Sequence, residues 1–92
     1  MLRIFYTAKF KKDYKRLKKQ GKDMAKLASI LEDLAKGEPL PEERRDHLLA
    51  GAYKGHRECH IEPDWLLIYR IEDDELVLTA VRTGSHSEMF GM

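Results

Sequence analysis

Apolar positions follow two different periods along this 92-residue chain, and the switch between them divides it near the middle. Leu2-Arg3-Ile4-Phe5-Tyr6 predicts a short opening strand, with branched and aromatic residues at its centre. Thr7 then reads as an N-cap for a helix over Ala8–Lys19, whose inner stripe is Phe10, Tyr14 and Leu17. Gly21 ends that helix in a left-handed cap, and Asp23 caps a second one. In the second helix Met24, Leu27, Ile30, Leu31 and Leu34 give the cleanest amphipathic pattern in the chain, stopped by Gly37 and Pro39. The short joint at Gly21–Asp23 implies an antiparallel helical hairpin.

From residue 54 onward the period falls to two. Strands are expected over His56–Ile61, Trp65–Ile71 and Leu76–Thr83. Pro63-Asp64 turns the first pair, since proline presets φ and aspartate bonds its own backbone. The acidic run Glu72–Glu75 turns the second pair. Between the halves, residues 37–53 form a long connection holding His47, and connections of that length are often functional. A short element around Ser87–Phe90 closes the chain. The expected fold is a single α+β domain over residues 1–92 in the order β-α-α-β-β-β, with the helical hairpin on one face of a small antiparallel sheet. Along the first strand of the second half, Cys59 and Ile61 point toward the helices while His56, Glu58 and His60 point to the open face. Arg82 shares parity with Leu76, Leu78 and Ala80, so it reaches the open face only if its strand bends.

Charge changes this picture. Residues 1–36 carry eleven Lys/Arg against four Asp/Glu, a balance of +7; residues 37–92 carry six against twelve, a balance of −6. A basic half suits phosphate backbones or an acidic protein partner. No apolar run approaches the ~20 residues that span a bilayer, and the N-terminal stretch has no apolar signal core. The lone Cys59 cannot form an internal disulfide, which fits a reducing cytoplasm.

His56, Cys59 and His60 look superficially like zinc ligands. On a strand the two histidines lie about 13 Å apart and Cys59 faces the other way, whereas zinc needs ligands within ~2.3 Å of one centre. No metal site is expected, and no cofactor. Cys59 as a nucleophile is equally disfavoured by its inward position. Glycine-rich phosphate loops are absent. General acid–base chemistry fits better: His47, His60 and His86 titrate near neutrality, Asp64 can orient an imidazole or act as a base, and Arg82 offers a planar fork for a phosphate. Trp65 and Phe90 are candidate surfaces for stacking bases.

Asp46-His47, Gly51, Tyr53-Lys54-Gly55, His60-Ile61-Glu62-Pro63-Asp64-Trp65, Ile68-Tyr69 and Arg82-Thr83-Gly84-Ser85-His86 resemble the YafQ-type toxins of bacterial type II toxin–antitoxin systems, within the RelE/ParE superfamily. Leu48 and Ala50 depart from that pattern. The resemblance implies a ribosome-dependent mRNA endonuclease that cuts codons in the A site without a metal, the ribose 2′-oxygen attacking the adjacent phosphate. It implies a site of His47, His60, Asp64, Trp65, Arg82, His86 and Phe90. There His86 is the general acid, Asp64, His60 or His47 the base, and Arg82 the stabiliser of the transition-state phosphate. Lys11, Lys12, Lys15 and Lys18 would then hold ribosomal RNA phosphates. The implied partner is a ribbon-helix-helix antitoxin of the DinJ kind, through which alone operator DNA would be bound. Superfamily members of the ParE kind inhibit gyrase instead, and they have no need of the histidine set; a further alternative is a non-catalytic binding module of the same fold, its basic helices docked on an acidic partner and its histidines incidental.

Overall fold

The computed structural model describes residues 1–91. Its elements are β1 (Arg3–Tyr6), α1 (Ala8–Lys19), α2 (Met24–Ala35), β2 (His47–Leu48), β3 (Arg57–Glu62), β4 (Trp65–Glu72), β5 (Val77–Gly84) and α3 (His86–Phe90). The expected helix caps form: the Thr7 hydroxyl accepts from Phe10 N–H, the Asp23 carboxylate accepts from Ala25 N–H, and Gly21 turns left-handed at φ +81°.

The five strands lie in the order β1-β5-β4-β3-β2. One correction concerns direction. β3, β4 and β5 form the expected antiparallel meander, but β1 runs parallel to β5, so the sheet is mixed. A second concerns the long connection, which carries a two-residue edge strand placing His47 opposite Glu58.

Helices α1 and α2 cover one face. Phe10, Leu17, Leu27, Ile30, Leu31 and Leu34 pack there against Cys59, Ile61, Leu67, Tyr69, Leu78 and Ala80. Each such large apolar side chain contributes ~1.5–3 kcal/mol relative to exposure. The inner stripe of α1 differs from its periodic reading in one residue. Asp13 is buried at 2% exposure, while Tyr14, at 37%, sits at the rim. The other face has only a small cluster, Leu66, Ile68 and Met89, partly roofed by α3.

The bend that Arg82 requires is present. Ile68 pairs with Arg82 and Tyr69 with Ala80, leaving Val81 as an extra residue in β5. Such a bulge shifts parity by one. Leu78 and Ala80 therefore face the helices, whereas Arg82 lies opposite Ile68 on the open face.

Candidate active site

The open face of β3 brings its polar residues together around a group whose chemistry the sequence left unassigned. Glu58, on the central part of β3, is 3% exposed. Its Oε1 lies 3.6 Å from His47 Nε2 and 3.6 Å from His86 Nε2. Its Oε2 is buried with no hydrogen-bond partner among the described residues. An orphaned buried oxygen costs about 1–3 kcal/mol, so packing alone does not account for a carboxylate here. The signal in the sequence was parity: Glu58 shares the open face with His60.

Each imidazole is held differently. His47 Nδ1 lies 2.7 Å from the Arg45 carbonyl oxygen. A carbonyl only accepts, so Nδ1 carries the hydrogen and Nε2 is the nitrogen free to take a proton. His60 Nδ1 lies 3.3 Å from the Pro63 carbonyl oxygen, which poses its Nε2 in the same way. Among the described residues His86 has no such anchor; it opens α3, and its ring centroid is 6.4 Å from that of His60. Phe90, one turn on, packs its ring 5.7 Å from His86, and Tyr53 meets Phe90 edge-on at 5.8 Å.

Trp65 requires a correction. It is 1% exposed and its indole N–H donates to Thr83 Oγ1 at 2.9 Å, so its faces are spent in the core and no base can stack on them. It shares its β4 parity with Leu67 and Tyr69, which face the helices. Asp64 is exposed on the turn and makes no hydrogen bond to an imidazole among the described residues; the carboxylate beside the imidazoles is Glu58.

Arg82 borders the site with its fork largely committed. Nε and Nη2 donate to Asp13 at 2.9 and 3.0 Å, and Nη1 approaches the Met89 carbonyl oxygen at 3.5 Å. Burial opposes the charge of Asp13, but hydrogen bonds from Arg82, Arg16 and Thr83 N–H outweigh it and hold its carboxyl below the ordinary range.

Of the six lysines of α1, Lys11, Lys12, Lys15 and Lys18 are exposed but divided between two flanks. Lys11 and Lys15 line a groove toward α2, while Lys12 lies on the flank of Arg16, which reaches α3. Lys18 lies nearer the α2 flank by the same 100° count. Beside His60 a cleft of about 540 Å³ is lined by Glu43, Arg44, Arg45, Ile61, Glu62 and Pro63.

Among the described residues no three His, Cys, Asp or Glu side chains stand close enough to share a metal ion. Cys59 is fully buried on the helix side, and burial pushes its thiol up to about 12, which removes it as a nucleophile.

Comparisons with known proteins agree with the fold. A family model described as a bacterial toxin of type II toxin–antitoxin system, YafQ, matches residues 2–91. The mRNA interferase toxin YafQ of Escherichia coli K12 is 43% identical over 89 residues, covering 96% of this chain and 95% of that protein. A metal-bound toxin from Helicobacter pylori superposes with a TM-score of 0.92 at 47% identity, over 98% of this chain and all of that one. YafQ in the E. coli DinJ–YafQ complex superposes with a TM-score of 0.89 at 41% identity, over 99% of this chain and all of that one. With its fold and nearly its whole length matched, this chain belongs to the YafQ family of toxins of bacterial type II toxin–antitoxin systems.

Proposed function

We propose that this toxin is a ribosome-dependent mRNA endonuclease that cuts the codon in the A site by metal-independent acid–base catalysis. The observation that carries the reading is a cluster of three imidazoles: His47 and His86 each lie 3.6 Å from buried Glu58, and the His60 ring lies 6.4 Å from that of His86. The E. coli relative's name, mRNA interferase, supplies the substrate class.

In this mechanism His60 Nε2, its Nδ1–H fixed on Pro63, takes the proton from the ribose 2′-hydroxyl. The 2′-oxygen attacks the adjacent phosphorus, and the bond to the 5′-oxygen breaks. Protonated His86 gives its proton to that leaving oxygen, producing a 2′,3′-cyclic phosphate and a 5′-hydroxyl. Glu58 balances the imidazolium charge of His86 and of His47, whose edge meets the phosphate. Arg82 adds positive charge behind it, reduced by its pairing with Asp13. Phe90 supports a base beside His86, and the cleft along Arg44 and Arg45 takes the nucleotide beside His60. Asp64, exposed on the same turn, is the alternative base. The H. pylori relative was crystallised with a metal. The steps above use the chain's own side chains alone.

The partner is an antitoxin, as DinJ is for the E. coli relative. Its seat is a groove of about 540 Å³ formed by β1, α1 and α2, lined by Ile4, Tyr6, Phe10, Tyr14, Leu27 and Leu31 with Lys11 and Lys15 at the rim. An acidic segment with alternating apolar residues fits it, because the outer edge of β1 carries no strand among the described residues. Lysines left uncovered hold ribosomal RNA, the cytoplasm is the site of action, and operator DNA is bound through the antitoxin.

Mapping mRNA ends after induction in cells tests the reading. In-frame cuts inside translated codons, lost by at least about 100-fold in His86→Ala, support it. DNA damage without RNA cleavage, or loss of cutting on adding a chelator to purified toxin and ribosomes, overturns the reaction or its metal-free form respectively.

A further inference from the structure

We infer that Asp13, on the helix behind the sheet, is a positioning residue for the ribonuclease site, setting Arg82 directly and His86 through Arg16 and Glu88. The inference rests on the function proposed above but concerns residues that neither the motif nor the acid–base chemistry assigned.

The topology creates the position. β1 ends at Tyr6, opposite Ala80, so among the described residues positions 81–84 of β5 run on without a neighbouring strand on that side. The first turn of α1 covers this bare edge, with the Thr7 hydroxyl donating to the Val81 carbonyl oxygen at 2.6 Å. Farther along, Asp13 takes the place of a strand and accepts the Thr83 N–H at 3.2 Å. Arg82 and Arg16 supply the remaining donors, so four hydrogen bonds converge on its two oxygens.

Two tethers leave this carboxylate. One is Arg82, whose bidentate contact fixes the guanidinium plane while its chain lies on the open face. The other is Arg16. Its Nη1 holds Asp13 at 2.9 Å and its Nε holds Glu88 Oε2 at 2.9 Å. Glu88 in turn accepts from Ser85 N–H at 2.9 Å, closing a capping box at the first turn of α3, and Gln20 adds a further bond from α1. His86 is the residue directly after the Ser85 cap. Between the helices Arg16 crosses Gly84, where an added Cβ would stand 2.8 Å from Nη2 and 3.1 Å from Glu88 Oε1. Gly84 has a φ of +147°, so this crossing is available to glycine and costly to other residues.

A helix of five residues has no stability of its own, so its direction is set by what it touches. Met89 holds its far end on the Leu66–Ile68 cluster. Its near end, which carries the imidazole, is held from α1. A burial role alone would be served by apolar residues at both positions 13 and 82, since replacing a whole buried ion pair by apolar groups is often neutral or stabilising.

The test uses full-length toxin with programmed ribosomes, comparing wild type, Asp13→Asn and Arg16→Met. Methionine keeps an aliphatic stem across Gly84 and removes only the tether. We expect kcat to fall about 10- to 100-fold, the scale of a misplacement near 1 Å, with KM within about twofold. Proton NMR titration of the His86 ring should show a displaced midpoint in Arg16→Met, while His47 stays closer to its wild-type value. Wild-type kcat in Arg16→Met with an unmoved His86 titration overturns the inference, even if Asp13→Asn fails to fold. Should wild-type toxin cut no RNA, the function proposal fails instead, and the His86 titration alone decides on the clamp.

Discussion

Glu58 shows how one buried residue can work against the fold that holds it. Its carboxylate meets two imidazoles at 3.6 Å and leaves one oxygen unpartnered, an arrangement that a neutral amide would satisfy more easily. Glu58→Gln should therefore keep or raise the melting temperature while lowering cleavage about 10- to 100-fold, because the charge that balances the imidazoliums is gone. Calorimetry alongside single-turnover cleavage checks this; a variant both less stable and fully active would contradict it. Trp65 makes the opposite point. Its place within a motif that otherwise carries chemistry suggested a stacking surface, yet it is a core residue whose one polar atom is satisfied by Thr83. An indole after a turn reads the same in either role, and only burial separates them.

Among the elements, α1 joins the two faces of the sheet. Its buried Asp13 holds β5 and, through Arg16, the start of α3. Because its folded pKa lies below the ordinary 3.8, the stability it contributes is present above that value and is lost as pH falls through the folded pKa. Acid unfolding should therefore steepen below about pH 4 in wild type and be shallower in Asp13→Asn. At neutral pH, Asp13→Ala should cost about 3–5 kcal/mol, since it strands Arg82 and the Thr83 N–H. Denaturant melts across pH measure both. The helix itself, its caps and its length were legible from Thr7, Gly21 and the apolar spacing. The acidic residue in its inner stripe was not, because its partners lie 69 and 70 positions away.

For the molecule as a whole, the proposed catalytic cluster and the proposed antitoxin groove occupy opposite sides of the sheet. The imidazoles stand on the face that α3 partly roofs; the apolar groove lies among β1, α1 and α2. Tyr6 and Tyr14 are exposed enough to change without emptying the core. The double variant Tyr6→Glu/Tyr14→Glu should weaken antitoxin binding about 100-fold and leave cleavage within about twofold. Titration calorimetry with the antitoxin reads the first quantity; unchanged affinity would move the docking surface elsewhere. The sequence by itself determined the order of the longer strands and of the helices, the inward set of Cys59 and Ile61, and the two motif clusters carrying His60 and His86, since periodicity and turn chemistry act over a few residues. Only tertiary structure decided that β1 lies parallel to β5, that Val81 is extra and turns Arg82 outward, and that Glu58 sits between His47 and His86. Those outcomes depend on register and packing between strands far apart in the chain. They changed the candidate site by removing Trp65 as a stacking surface and bringing in Glu58 as a buried carboxylate beside two imidazoles.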